Sequence, residues 1–296
     1  MTDPRDRLRD FHPRHDRFIG IDSDGCVFDA MEIKHKECFC PAFIKHFRLQ
    51  PVSRYAREVW EFVNLYGATR GTNRFAAVRI ALDLLERRSE VTARGFTVPR
   101  MQGLRDWLER ETRLGGPALH DAVEQTGDAD LTRVLAWHRE VNERVADMVC
   151  GIPPFPGVKP VLERARAHAD LMVISQASQD AIDREWTEHG LMPFMDAAAG
   201  QELGTKSEHL AMATEGRYPA GHVLVLGDAP GDRAAALANG ARFYPIMPGD
   251  EAASWQRLEQ EVLDRFLDGG FDDALQQELL DAFAAALPEQ PPFALS

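Results

Sequence analysis

Asp22 and Asp24 are the residues whose types and spacing point most directly to chemistry, and they directly follow the apolar run of residues 18–21. That run is too short for a helix, and the Asp24-Gly25 pair after it favours a turn, so we predict a buried strand that ends here. Catalytic groups of open α/β sheets lie at the carboxyl ends of strands. Because alternate residues of a strand point the same way, we expect both carboxylates to face one small site.

Two carboxylates this close repel each other unless they bind a cation, share a proton or take different roles. With Mg²⁺ present, one carboxylate can attack phosphorus and bind the metal, while the other carries a proton to and from the ester oxygen. The alternative is an ordinary surface turn, in which Asp and Gly are common.

Three later segments also place polar residues directly after a predicted strand or at the start of a predicted helix. The predicted strand of residues 170–174, which is apolar after Asp170, ends in Ser175 and Gln176, where a hydroxyl and nearby backbone N–H groups can hold phosphate oxygens. Ser178 is expected to cap the next helix instead. Lys206 lies at the start of a predicted short helix, and its charge can pair with a nucleophilic carboxylate and with a transferring phosphoryl group, although a solvated lysine would explain it as well.

The last of these segments is the predicted strand of residues 222–226, which is apolar after His222 and leads into Gly227-Asp228 and then to Asp232. Mg²⁺ prefers oxygen ligands, so Asp228 is predicted to bind the metal. Asp232 either reaches the metal through water or orients Lys206, and its alternative role is to cap the following helix.

These four ordered motifs resemble those of the haloacid dehalogenase superfamily of phosphatases and phosphotransferases: Asp22-x-Asp24-Gly25, Ser175, Lys206 and Gly227-Asp228-x-x-x-Asp232. The resemblance covers residues 17–29 and 155–248, and Cys26 departs from it where the family usually has threonine.

The resemblance implies a role for each of these residues. Asp22 is the implied nucleophile and Asp24 the general acid/base, while Ser175 and Lys206 hold the phosphate. The implied cofactor is Mg²⁺, and its implied ligands are Asp22, the backbone carbonyl of Asp24, Asp228 and Asp232.

The order of predicted elements adds a second domain. Residues 30–153 form successive amphipathic helices, with Trp60, Trp107 and Trp137 expected in their core. Beyond residue 155 helices alternate with strands, which is typical of a parallel sheet with helices on both faces.

We therefore predict an α/β fold in which an all-α cap domain is inserted into a Rossmann-like doubly wound parallel sheet core. The predicted domains are the core of residues 1–29 and 154–250, the cap of residues 30–153, and a C-terminal helical tail of residues 251–296 packed on the core. Residues 288–296 are expected to be loose, and the first sixteen to form an arm or short helix. The resemblance implies that the cap lies over the active site and opens and closes around the substrate.

The polar turn of residues 67–74 is the predicted substrate-reading part of the cap. Arg70 and Arg74 suit a carboxylate or a second phosphate on the substrate, with Asn73 as a further candidate. The alternative is that Thr72 or Asn73 caps the next helix and that both arginines are solvated.

The amino-acid composition limits the kinds of partner that the protein is expected to bind. Lys and Arg number 34 against 47 acidic residues, a net charge of -13, which opposes binding to nucleic acid or to an anionic membrane. No apolar run is long enough to span a membrane, and the charged first residues lack the apolar core of a secretory signal. Because the four cysteines form no metal-binding set, we expect free thiols and a cytoplasmic location.

The sequence thus predicts a Mg²⁺-dependent phosphatase that hydrolyses a small phosphorylated metabolite through an aspartyl-phosphate, as a monomer or homodimer. The alternatives are a phosphotransferase or phosphomutase of the same superfamily, and a non-catalytic binding or scaffold protein.

Overall fold

The computed structural model describes Leu8 and residues 11–296, so most of the predicted N-terminal arm lies outside the described residues. The chain divides into two compact units. The core unit comprises the described residues up to Met31 together with Gly151–Ala286, and the helical unit comprises Glu32–Cys150 and Leu287–Ser296.

Five parallel strands form the sheet of the core unit, in the order β3-β2-β1-β4-β5. They are β1 (Phe18–Ile21), β2 (Asp170–Ile174), β3 (Ala197–Ala199), β4 (Val223–Gly227) and β5 (Arg242–Pro245). Every residue of β1, β2 and β4 is buried, as expected where helices cover both faces of a parallel sheet. This confirms the predicted α/β, Rossmann-like parallel sheet.

The α-helices follow in chain order: α1 (Ala30–Ile33), α2 (Cys40–His46), α3 (Ser53–Glu61), α4 (Arg74–Glu86), α5 (Ser89–Ala93), α6 (Gln102–Arg110), α7 (Gly116–Thr126), α8 (Ala129–Met148), α9 (Val158–Ala165), α10 (Gln179–Glu188), α11 (Lys206–Thr214), α12 (Pro230–Ala238), α13 (Glu251–Arg257), α14 (Leu263–Leu267) and α15 (Asp273–Ala286). Shorter segments are π-helical (Lys34–Phe39, Phe62–Tyr66 and Leu258–Val262) or 3-10 helical (Gln50–Val52, Met192–Phe194 and Gln201–Leu203). Among the residues that the structure describes, no helix combines the length and the apolar character needed to cross a membrane.

The helical unit packs around large aromatic side chains. The rings of Trp60 and Trp137 lie 6.0 Å apart, and Phe43 lies 4.7 Å from Trp60. Trp107 is buried against Phe75, with ring centroids 5.4 Å apart. The three tryptophans predicted to form this core therefore do so.

The tail differs from the prediction in its last ten residues. Helices α13 to α15 belong to the core unit, but Leu287–Ser296 belongs to the helical unit and is not loose there. The backbone N–H of Ala68 donates to the carbonyl of Pro288, and the guanidinium of Arg88 lies 4.3 Å from the centroid of the Phe293 ring. The segment is short and rich in proline, so no periodicity in the sequence indicated where it packs.

Candidate active site

The strand order brings the predicted motifs of the core unit to one edge of the sheet. The central strand β1 pairs with β2 on one side and β4 on the other. Asp22 follows the end of β1, Ser175 follows β2 and Asp228 follows β4. Because parallel strands end at the same edge, the topology gathers these residues where such folds bind ligands.

The first motif folds as the predicted turn. The backbone N–H of Asp22 donates to the carbonyl of Leu226 at 3.0 Å, which extends the pairing beyond β1, and the Asp22 side chain is buried. Gly25 has a φ of 77°, a backbone conformation that favours glycine, and its N–H donates to the carbonyl of Phe28. Asp24, immediately before this glycine, is half-buried.

Lys206 joins two of the predicted acidic residues. Its Nζ lies 2.8 Å from Oδ1 of Asp22 and also donates to Oδ1 of Asp232. Asp232 accepts a hydrogen bond from the backbone N–H of Ala229 through its other oxygen, at 3.0 Å. Asp232 therefore orients the lysine and caps α12 at once, two roles that the sequence had left as alternatives.

The local sequence fixes Lys206 as the first residue of α11. Thr205 accepts a hydrogen bond from the backbone N–H of Glu208, and the Glu208 carboxylate accepts one from the backbone N–H of Thr205. This reciprocal capping box defines where the helix begins. The lysine side chain is consequently held by a helix start, as the sequence predicted.

Three carboxylates meet at this point. Asp22, Asp228 and Asp232 are buried, and each offers an oxygen within 4.8 Å of the others. Burial raises the pKa of the Asp22 carboxyl well above its ordinary value, and although the Lys206 ammonium opposes this, the neighbouring carboxylates add to it. Burial lowers the pKa of Lys206, but its two carboxylate partners raise it by more, so that it lies above the ordinary value.

This donor set fits a hard divalent cation. Asp22, Asp228 and Asp232 bring three carboxyl groups into one buried space, where negative charge is costly unless a cation lies close to it. All the ligand atoms that Asp22, Asp228 and Asp232 offer are oxygens, which Mg²⁺ prefers.

The polar residues that follow β2 are Ser175, Gln176 and Ser178. The Ser175 hydroxyl accepts a hydrogen bond from the backbone N–H of Ala177 at 3.1 Å, which leaves its own proton to donate elsewhere. Gln176 is exposed and donates to the carbonyl of Gly204 at 3.0 Å. Ser178 caps α10 by accepting from the backbone N–H of Ala181, as predicted.

The predicted substrate-reading residues Arg70, Asn73 and Arg74 all lie in the helical unit. Asn73 caps α4, since its Oδ1 accepts from the backbone N–H of Phe75, which was the alternative for this residue. The other half of that alternative, solvated arginines, is wrong. Arg70 is buried and donates to the carbonyl of Leu65, and Arg74 is half-buried and packs on the Phe39 ring.

Comparison with solved structures supports the fold. No protein-family profile matches the chain, and no curated protein sequence matches it. A haloacid dehalogenase-like hydrolase from Bacteroides fragilis is similar with a TM-score of 0.50 and 16% sequence identity, over 80% of this chain and 92% of that one. The chain has the haloacid dehalogenase-like fold.

Two further solved structures were found with lower TM-scores. A protein assigned as a phosphoglycolate phosphatase from Lactobacillus delbrueckii subsp. bulgaricus has a TM-score of 0.46 and 16% identity, over 86% of this chain and 98% of that one. A haloacid dehalogenase-like family hydrolase from Xanthomonas campestris has a TM-score of 0.43 and 12% identity, over 88% of this chain and 94% of that one.

Sequence reasoning missed one contact in this haloacid dehalogenase-like core. The indole N–H of Trp186 on α10 donates to the hydroxyl of Ser23 at 3.0 Å, and both residues are fully buried. Ser23 stands between the two aspartates of the first motif, so the indole anchors the segment that carries both. The partners are 163 positions apart, and no local pattern signals such a pair.

Proposed function

We propose that this chain is a Mg²⁺-dependent phosphatase that hydrolyses a small phosphorylated metabolite through an aspartyl-phosphate on Asp22. The observation that carries the proposal is the Lys206 ammonium bound to both Asp22 and Asp232, beside a third buried carboxylate at the carboxyl edge of the sheet. Burying several charges together destabilises the fold, and a purely structural protein does not need such a cluster.

In the first step an oxygen of Asp22 attacks phosphorus in line with the leaving group. The bond between phosphorus and the ester oxygen breaks, and Asp24 gives its proton to that oxygen. In the second step Asp24 takes a proton from water, whose oxygen attacks the aspartyl-phosphate. The bond from phosphorus to Asp22 then breaks, which releases inorganic phosphate and restores both aspartates.

The remaining residues of the site hold the phosphoryl group. The positive charge of Lys206 reduces the repulsion between the anionic nucleophile and the anionic phosphate. The Ser175 hydroxyl, with Gln176 beside it, offers hydrogen-bond donors to the phosphate oxygens. Asp22, Asp228 and Asp232, with the Asp24 carbonyl, would hold Mg²⁺, which offsets the negative charge of the phosphate when bound.

The test is phosphate release from a panel of phosphorylated metabolites, with Mg²⁺ or with chelator. We expect release that requires the metal and that falls by about 10³-fold or more in Asp22→Asn, since the nucleophile is lost. Asp16→Asn is the matched control, because Asp16 precedes the same strand and is exposed.

Three outcomes would contradict the proposal. Release that survives in Asp22→Asn would remove the nucleophile from its role. Transfer of phosphate to a sugar hydroxyl rather than to water would favour a phosphotransferase. No turnover of any ester would favour a binding protein.

A further inference from the structure

Arg74, the first residue of α4 in the helical unit, has a half-buried guanidinium with neutral partners. Its Nη1 donates to Oδ1 of Asn142 at 2.7 Å and lies 3.2 Å from Nδ1 of His138. The guanidinium carbon lies 4.9 Å from the centroid of the Phe39 ring. Burial lowers the pKa of Arg74 to about 10, so the group is still a cation at neutral pH.

Other arginines of the same unit are paired differently. Arg88, which is buried, forms ion pairs with Glu58 and Glu90, and Arg144 forms one with Glu140 at 2.8 Å. Across Leu8 and residues 11–296, no carboxylate lies within ion-pair distance of Arg74. The charge of Arg74 therefore has no anionic partner in this part of the chain, although buried charges are usually paired.

The polar groups around Arg74 contain more donors than acceptors. Burial lowers the pKa of His138 to about 4, so at neutral pH its ring has one donor and one acceptor nitrogen. Nδ1 faces the Arg74 guanidinium, and Nε2 lies 3.2 Å from the side-chain nitrogen of Asn142. Both neighbours are donors, since the Asn142 oxygen already accepts from Arg74, and a neutral ring can accept from only one of them.

His35, whose ring packs on Phe39 as the Arg74 guanidinium does, has an unsatisfied nitrogen. Nδ1 of His35 is buried and has no hydrogen-bond partner among the described residues, and its ring lies 4.8 Å from that of Phe39. Burial lowers the pKa of His35 to about 3, helped by the positive charges of Arg70, Arg74 and Lys34. His35 and Phe39 share the π-helical segment Lys34–Phe39, a backbone form that is frequent at functional sites.

We propose that the helical unit binds an oxyanion, a carboxylate or a phosphoryl group, at Arg74 and His138, with His35 packed on the same Phe39 ring. An oxyanion supplies the acceptor atoms that these groups lack and the negative charge that Arg74 lacks. A metal cation is disfavoured, because the positive charges of Arg70, Arg74 and Lys34 all act on His35. The site lies wholly in the helical unit and does not rest on the proposed hydrolysis at Asp22.

The test is an NMR titration of the full chain labelled with ¹⁵N-histidine, in chelator. Sodium acetate and inorganic phosphate are added separately at constant ionic strength, and the ring signals of His35 and His138 are followed. We expect a saturable shift of these signals with at least one of the two anions. Acetate alone would identify a carboxylate site and phosphate alone a phosphoryl site.

Variants of Arg74 and Arg79 test whether the anion binds at Arg74. Arg74→Gln should weaken binding by about tenfold or more, as expected when a charge-assisted fork is lost. Arg79→Gln should bind as the wild type does, because Arg79 is exposed on the same helix and its loss changes the net charge equally. If Arg74→Gln does not fold, Arg74→Lys keeps the charge without the fork and should still bind more weakly than the wild type.

The proposal is overturned if neither anion gives a saturable shift in the wild type, or if the two Arg74 variants bind as tightly as the wild type. These results are independent of phosphate release. If the protein binds the anion but hydrolyses no ester, this site is supported and the proposed phosphatase function is refuted. If it hydrolyses an ester but binds neither anion at Arg74, the phosphatase function is supported and this site is refuted.

Discussion

Replacing Lys206 by methionine removes a positive charge that contacts two of the three buried carboxylates, with little change in side-chain length. At the 2.8 Å that separates Nζ from Oδ1 of Asp22, the Coulomb attraction is about 6 kcal/mol at an effective dielectric constant of about 20. Desolvation of both groups offsets much of this, but removing one partner leaves the other charges buried. The free energy of unfolding in chelator should therefore fall by about 3–5 kcal/mol.

The same substitution should slow the proposed reaction. Losing one preorganised positive group at a site of developing charge costs about 10²–10³-fold in kcat. The two measurements are urea unfolding in chelator and steady-state phosphate release with Mg²⁺. Lys159→Met is the matched control, because Lys159 is an exposed lysine of the core unit and should change neither quantity.

The reasoning fails if Lys206→Met unfolds at the same urea concentration as the wild type and keeps kcat within about threefold, a change that corresponds to less than about 1 kcal/mol. Lys206→Arg separates charge from shape. It should recover part of the stability, since a guanidinium can still pair with Asp22 and Asp232, and a variant no better than methionine would show that charge is not what matters.

Two further predictions concern other contacts. Trp186→Phe removes the hydrogen bond to Ser23, so phosphate release should show a lower kcat with KM changed less, and an unchanged kcat would show that the indole does not position the first motif. Burial raises the pKa of Glu140, but hydrogen bonds from Lys45 and Arg144 lower it by more, to about 2. Because this folded-state pKa lies below the ordinary value, Glu140 stabilises the fold above about pH 4.5, and that stability is lost as pH falls towards 2. Glu140→Gln should thus lower the free energy of unfolding at pH 7 by about 1–2 kcal/mol, with a difference from the wild type that shrinks below pH 4.5 in acid-dependent urea unfolding.

The sheet and its polar edge could be predicted because their signals are local. Each inner strand is a short apolar run followed at once by a polar or glycine-bearing turn, as at Asp22, Ser175 and Asp228. Parallel pairing then places all such strand ends together, whatever the details of the packing. Lys206 was also predicted at a helix start, and the Thr205 and Glu208 capping box that defines this start is a local feature as well.

The features that the sequence did not indicate depend on tertiary contacts. The sequence around Trp186 predicts only a buried aromatic residue, and its hydrogen bond to Ser23 is visible only in the structure. The arginines of the turn after α3 carried equal weight in the sequence, yet the structure buries Arg70 and leaves Arg74 among neutral groups. The π-helical segments also have no distinct periodicity, since one wider turn shifts an amphipathic pattern by a single residue.

The segment Leu287–Ser296 has a consequence for how the chain is made. Its contact between Ser296 and Arg87 joins positions 209 residues apart, within a unit whose other residues are Glu32–Cys150. At about 5–20 residues per second on the ribosome, Arg87 waits roughly 10–40 s for this partner. Most of the helical unit is thus synthesised before strands β2 to β5, but the unit is completed only after the whole sheet has been made, and until then Phe62 and Arg88 lack the aromatic ring of Phe293.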